Sequence, residues 1–464
     1  MNLIAKTRLD EGLMANLQAA DAQSHFHPFT DPNAIRQAAP FLIERAEGAY
    51  VEGQGFRLLD AMAGLGCVNI GYGRKEMAET AASVMQSLSF YHSFAAVTNP
   101  HAAALAAKIA QLSPMEGTRT FFSNSGSEAV ETAIKVARLY WHQKGQSSKR
   151  KIVARDYAYH GSTDLTTALT GNPRMHEGLG LANHPDVIRA QAPYWYREAG
   201  TLSPDEFGLH AAEDIARKID AAGADTVAAV IAEPIMGTSG AIIPPQTYFP
   251  HLAEICRERN VLLIADEVVT GFGRTGHWFA QSAFGFKSDI MTLAKGLSSA
   301  YQPISATAVA GHVMDVLDQA NGVFQHGFTT SAHPVAAAVA LKNIELIERE
   351  GLVDRIRLDI GPRFSKALRT LQGLPLVGEI RVIGLMAGIE LAKDKATREQ
   401  YPTEMFVCEA VSQACLLRGL MVRPVGNAIV LCPPFIITRQ EVDLIVQTLS
   451  EALTEVHGQI MAAG

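Results

Sequence analysis

Four features of this 464-residue chain have residue types suited to covalent chemistry: a lysine, an acid, a tyrosine and a serine-rich turn. Lys295 stands alone in "TLAKGLSSAYQP" (292–303), next to a glycine and with no acid beside it. Lysine usually keeps its ammonium in water, so exposure is the plain reading. In an apolar pocket, however, a lysine gives up its charge and becomes a base or an imine-forming amine. Asp266 and Glu267 close the apolar run "VLLIADEV" (261–268). One of the two is expected to point inward, where a carboxylate needs a cation or strong donors.

In "FFSNSGSEAVETAIK" (121–135) a strand leads through a turn into a helix, and Ser125 with Glu128 fits a capping box. The same turn can cradle an anion. Gly126 lets a ligand approach the backbone, and Ser125 and Ser127 offer hydroxyls where the helix dipole favours phosphate. "YAYHGST" (157–163) follows another strand; Tyr159 there is either core packing or a platform for a flat ring, with Gly161 leaving room. A phosphate cup, an aromatic platform, a buried acid and a lone lysine are together what pyridoxal phosphate requires. A competing motif, G-x-G-x-x-G at Gly271, Gly273 and Gly276, resembles a dinucleotide fingerprint. It starts several residues beyond its strand and lacks the acid expected about 20 residues on, so a glycine-rich connection is the simpler account.

The elements that must position these residues alternate. "RTFFSN" (119–124), "KIVAR" (151–155), "TVAAVIAEP" (226–234) and "VLLIADEV" read as strands, the last two apolar on both faces. Such strands suit a parallel sheet covered by helices, and "SEAVETAIKVARLY" carries Ala129, Ala133, Val136 and Tyr140 at helical spacing. This is an α/β pattern, whose ligands bind beyond the carboxyl ends of the strands. After residue 334 comes a long helix (335–350), then strands broken by Gly and Pro, which read as a smaller α/β domain. The expected division is an N-terminal segment (1–70) packing with the small domain, a large domain (71–334) and a C-terminal small domain (335–464).

Composition excludes several classes. With 48% hydrophobic and 19% charged residues the chain reads as an ordinary globular protein. A net charge of −7 disfavours a nucleic-acid binder, and no apolar run approaches the roughly 20 residues of a membrane span. "MNLIAKTRLDEGLMANLQ" lacks the apolar core of a signal peptide. Five scattered cysteines suit neither a disulfide frame nor a zinc site, so a reduced cytoplasmic enzyme without a metal is expected.

The ordered set "SNSGSEA", "YHGST", "AEPIMG", "DEVVTGFGRTG", "LAKGLS" and "HGFTTSAHP" resembles the class III, fold-type I pyridoxal-phosphate aminotransferases. The likeness is closest to the amine (omega-amino acid):pyruvate group and covers nearly the whole chain. It implies that Lys295 forms the Schiff base, Asp266 holds the pyridine nitrogen, Tyr159 stacks on the ring and Val268 packs on the other face. It further implies that Ser125, Gly126 and Ser127 hold the phosphate, with His160 and Glu233 near the cofactor. Thr329 would reach the phosphate of a neighbouring subunit, making the site the property of a homodimer, or of a tetramer built from dimers. Arg423 matches a mobile arginine that binds a substrate carboxylate and withdraws for apolar groups, while Phe29 and Phe94 match pocket walls. The family usually has Trp or Tyr where this chain has Gly66, which implies a roomier pocket for bulkier amines. The implied reaction is a ping-pong transfer from an amine to a keto acid, with pyridoxamine phosphate as the intermediate form of the cofactor.

Overall fold

Strands buried on both faces need helices above and below them, and the computed structural model supplies both over residues 11–37, 40–319 and 322–463. Residues 1–10 of the N-terminal segment lie outside these described residues. A hairpin region opens the fold with β1 (Arg45–Glu47), β2 (Tyr50–Gly53) and β3 (Phe56–Asp60). Then follow β4 (Arg119–Ser123), β5 (Lys151–Arg155), β6 (Val187–Ala190), β7 (Val227–Ala232), β8 (Leu262–Asp266), β9 (Ile290–Leu293) and β10 (Ser305–Val309). These seven make one sheet in the order β4-β10-β9-β8-β7-β5-β6. Only β10 runs antiparallel to its neighbours, so the sheet is mainly parallel, as expected.

Every residue of β7 and β8 is buried. Fully burying side chains such as Leu263 and Ile264 contributes about 1.5–3 kcal/mol each, which fixes the middle of the sheet. Parallel neighbours require long crossovers. The helix Pro204–Ala222 carries the chain from β6 to β7, on either side of β5, and starts where its sequence says it should. Glu206 N–H donates to Ser203 Oγ (3.4 Å), Ser203 N–H donates back to Glu206 Oε2 (2.9 Å), and proline occupies the first turn. The helix Gly126–Gln143 buries Ala129, Ala133, Val136 and Tyr140, the face that the spacing predicts.

Beyond the helix Pro334–Arg349 lie β11 (Val377–Ile383), β12 (Met386–Leu391), β13 (Leu420–Met421), β14 (Arg423–Val425) and β15 (Ala428–Leu431). Four of them form an antiparallel sheet in the order β11-β12-β15-β14. The short β13 instead pairs in parallel with β3, Leu420 opposite Leu59 and Met421 opposite Asp60. The glycine motif at 271–276 is a connection and not the mouth of a helix. A Cβ on Gly273 would come within 2.9 Å of Phe435, and one on Gly276 within 3.0 Å of Arg357. Those two glycines let the loop press against the C-terminal part of the chain. Among the described residues no helix is long and apolar enough to cross a membrane.

Candidate active site

The carboxyl ends of β4, β5, β7, β8 and β9 converge on a cavity of about 160 Å3. Gly126, Ser127, Tyr159, His160, Glu233, Asp266, Val268 and Lys295 all line it. They enter at or just past the ends of these five strands, the arrangement by which parallel α/β sheets gather side chains from distant sequence positions.

Lys295 follows β9 directly, with a left-handed backbone (φ 41°) that begins a short 3-10 turn over Lys295–Leu297. A non-glycine residue held there stores strain of about 1–3 kcal/mol, which packing must impose. The neighbouring glycine shows how: a Cβ on Gly296 would stand 2.4 Å from Asn69 Nδ2 and 3.0 Å from the Gly271 carbonyl oxygen. The glycine beside the lysine is thus a packing requirement that clamps the turn. Burial pushes the Lys295 ammonium below its ordinary range, with weaker opposing pulls from Cys67 and Asp266.

Asp266 ends β8 and is held on three sides. Its Oδ1 accepts from Val268 N–H (3.2 Å) and Thr292 Oγ1 (3.0 Å), and its Oδ2 shares a hydrogen bond with His160 Nδ1 (2.7 Å). Behind this pair Glu233 accepts from the Tyr159 N–H (2.9 Å) and from the buried Arg155 Nη2 (2.9 Å), which also donates to the Glu233 carbonyl (2.7 Å). His160 Nε2 is buried without a hydrogen bond, 3.6 Å from Glu233 Oε2. Arg155 therefore backs Glu233, which adjoins the His160–Asp266 pair, and all but Arg155 line the cavity.

Both acids of the pair are buried, which corrects the expectation that only one would turn inward. Glu267 faces away from Asp266's partners, bonded to the Thr270 hydroxyl and the Gln281 N–H (2.9 Å). With no cation supplied, burial pushes its carboxyl up to about 7.

The serine turn is built for close approach. A Cβ on Gly161 would meet Ser127 Oγ at 2.5 Å, and a Cβ on Gly126 would meet Val268 Cγ1 at 3.2 Å. Ser162 N–H donates to Ser127 Oγ (3.0 Å), fixing that hydroxyl at the head of the helix Gly126–Gln143. Ser125 caps the helix, its Oγ accepting from Glu128 N–H (3.2 Å). The reciprocal half of the box is displaced by one residue: Glu128 Oε2 accepts from Asn124 N–H (2.6 Å), not from Ser125.

Six residues singled out from the sequence lie outside the cavity lining. Ser125 is exposed at its helix start, and Thr329 is exposed in the loop that leads into the helix Pro334–Arg349. That loop is tied to the serine turn by Thr330 Oγ1, which donates to Asn124 Oδ1 (2.8 Å). Phe29 is 79% and Phe94 45% exposed, so in this single chain neither acts as a pocket wall. Gly66 sits behind the lining: a Cβ there would lie 3.6 Å from Val269 Cγ1, and Val269 faces the cavity. Its φ of 72° makes any larger residue strained at that point. Arg423 is half-buried on β14, and its charge adds to the lowering of the Lys295 pKa.

Sequence reasoning passed over Arg155 and Thr292. Both are polar residues in otherwise apolar strands, "KIVAR" and "IMTL", and register places Thr292 opposite Asp266. The rule that flagged Asp266 also picks them out.

A flat phosphorylated ring fits what is present: glycines that leave room at the serine turn, a tyrosine beside it, an anchored acid and a half-buried lysine. Comparison with known proteins agrees. The family model for class III aminotransferases matches residues 33–453. A putrescine–pyruvate aminotransferase of Pseudomonas aeruginosa is 41% identical over 446 residues, 96% of this chain and 97% of that one. An (S)-enantioselective omega-transaminase from Thermomicrobium roseum superposes with a TM-score of 0.92 at 39% identity, covering 95% of this chain and 98% of that one. An omega-transaminase from Pseudomonas jessenii, solved in complex with PMP, gives 0.93 at 37% identity over 97% and 100%. Agreement in sequence and in fold over almost every residue leaves one conclusion: the chain belongs to the class III aminotransferases, enzymes of pyridoxal phosphate.

Proposed function

We propose that the protein transfers an amino group from a primary amine or omega-amino acid to pyruvate by a ping-pong mechanism at Lys295. The observation that carries this reading is a lysine of lowered basicity sharing one cavity with an anchored acid. The putrescine–pyruvate relative supports amine-to-pyruvate chemistry.

Ser127 with the N–H groups at the start of its helix would hold the cofactor phosphate. The Tyr159 ring would lie on one face of the cofactor, Val268 on the other, and Asp266 would meet the ring nitrogen. When bound, pyridoxal phosphate supplies an electron sink for the pair released at the donor carbon. Lys295 Nζ would hold the cofactor, and as a neutral amine it would be the group that takes the proton from the amine-bearing carbon. His160 and Arg155, through Glu233, keep Asp266 aimed and keep water off its inner side. Arg423 would engage the carboxylate of alanine or pyruvate and withdraw for an amine that has none. Gly66, by leaving Val269 uncovered, supports a pocket open to bulkier donors.

We assign the outer wall to a second copy of the chain. Phe29, Phe94 and Thr329 would complete the partner's site from their exposed positions, giving a homodimer. Five free thiols support action in the cytoplasm.

The test is a panel of amines offered with pyruvate and scored by alanine formation. Borohydride reduction of the loaded enzyme should at the same time place the label on Lys295. Turnover that needs no keto acid, or a label on another residue, would overturn the reading.

A further inference from the structure

Next to the cofactor cavity lies a larger one, of about 610 Å3. Thr238 lines both, and the backbone on each side continues from one to the other. Tyr159 and Gly237 face the inner cavity, Tyr157 and Ser239 the outer. Ser239 Oγ donates to the Tyr157 carbonyl, which ties those two stretches together.

Two acids in the outer cavity have opposite surroundings. Glu390 is saturated: Arg197 donates to it at 2.6 and 2.9 Å, Arg381 at 2.8 Å and the Tyr194 hydroxyl at 2.5 Å. Glu198, at the end of the short helix Trp195–Glu198, is half-buried, and among the described residues its donors are neutral, Gln191 and the Tyr157 hydroxyl. Arg197 is committed to Glu390, and the exposed Arg174 forms no ion pair with Glu198. Burial raises the Glu198 pKa, as it does for a carboxylate taken from water without a cation. A site of this kind gains most from a mobile ammonium, and the rings of Tyr157 and Tyr401, which line the same cavity, offer such a group cation–π contact.

Resting on the transaminase reading above, we propose that Glu198 binds the distal ammonium of an unbranched diamine donor whose other nitrogen reacts at Lys295. Diamines are then the favoured substrate class, and donor length is set by the span from Lys295 past Thr238 to Glu198.

The experiment compares kcat/KM for diamines of three to eight carbons with that for monoamines of equal length. Pyruvate is the acceptor, and wild type, Glu198→Gln and Glu198→Asp are the enzymes. A charge-assisted hydrogen bond of this kind predicts that the diamine-to-monoamine ratio falls about ten- to a hundredfold in Glu198→Gln. In Glu198→Asp the preferred diamine should lengthen by about one carbon, a shift that a merely structural glutamate would not produce. A ratio unmoved by Glu198→Gln overturns the inference, as does a wild type that uses monoamines well and diamines poorly. If wild type converts no amine with pyruvate, the transaminase reading itself fails, a result distinct from either of these.

Discussion

The inner and outer sides of the cavity are built differently. The inner side is assembled from strand ends and tied by buried hydrogen bonds, Arg155 to Glu233 and His160 to Asp266, with the two pairs 3.6 Å apart. The outer side, as proposed above, falls to residues on loops and on the edge strand β14: the exposed Phe29, Phe94 and Thr329 and the half-buried Arg423. Rigid strand ends suit chemistry that every substrate shares. Loops and edges suit recognition, which must differ from one substrate to the next. Substitutions inside should therefore affect all donors alike, and those outside should sort them.

The largest effect is expected from Lys295→Ala, which should slow alanine formation by at least about a thousandfold for every amine tried. A loss confined to some donors would contradict a shared inner side. Next is Arg155→Met, which leaves the Glu233 carboxylate buried without its cation. It should reduce unfolding free energy by about 3–5 kcal/mol in urea titration, and adding Glu233→Gln should restore part of the loss.

Glu267 gives a pH signature. Because its carboxyl is raised from 4.5 to about 7, the folded chain binds that proton more tightly than the unfolded chain does. Stability from this group is full below about pH 4.5 and falls by about 3 kcal/mol as pH rises through 7. Glu267→Gln keeps a neutral side chain in place and should flatten that part of the stability–pH curve; an unchanged slope would assign it to other groups. The smallest effect tests the outer side. Arg423→Ala should lower the ratio of alanine to simple-amine turnover about ten- to a hundredfold. Equal loss on both would remove the carboxylate role.

How much of this is legible in the sequence follows the same division. Strand ends announce themselves: an apolar run that finishes in a charged residue, as at Asp266 or Arg155, marks a group the fold must satisfy. Periodicity finds the helix Gly126–Gln143 and its buried face. Local pattern cannot supply register, and register is what sets Thr292 across from Asp266. Nor can it foresee that Glu267 turns into a second buried niche beside Gln281, because that niche is made by the short helix Ala280–Phe284 further along the chain. The residues of the outer side carry no periodic signal at all. Phe29 and Phe94 are aromatic residues in irregular chain, and only likeness to a family suggested a role for them.

The parallel pairing of β3 with β13 bears on how the protein is made. Leu59 leaves the ribosome early and its partner Leu420 very late, so the edge of that first sheet stays bare through most of synthesis. A bare edge is a template for pairing with another nascent chain, and its late closure ties solubility during expression to completion of the final segment. Chains stopped before Leu420 should accumulate as aggregates, even though all the strands of the seven-stranded sheet would already be present.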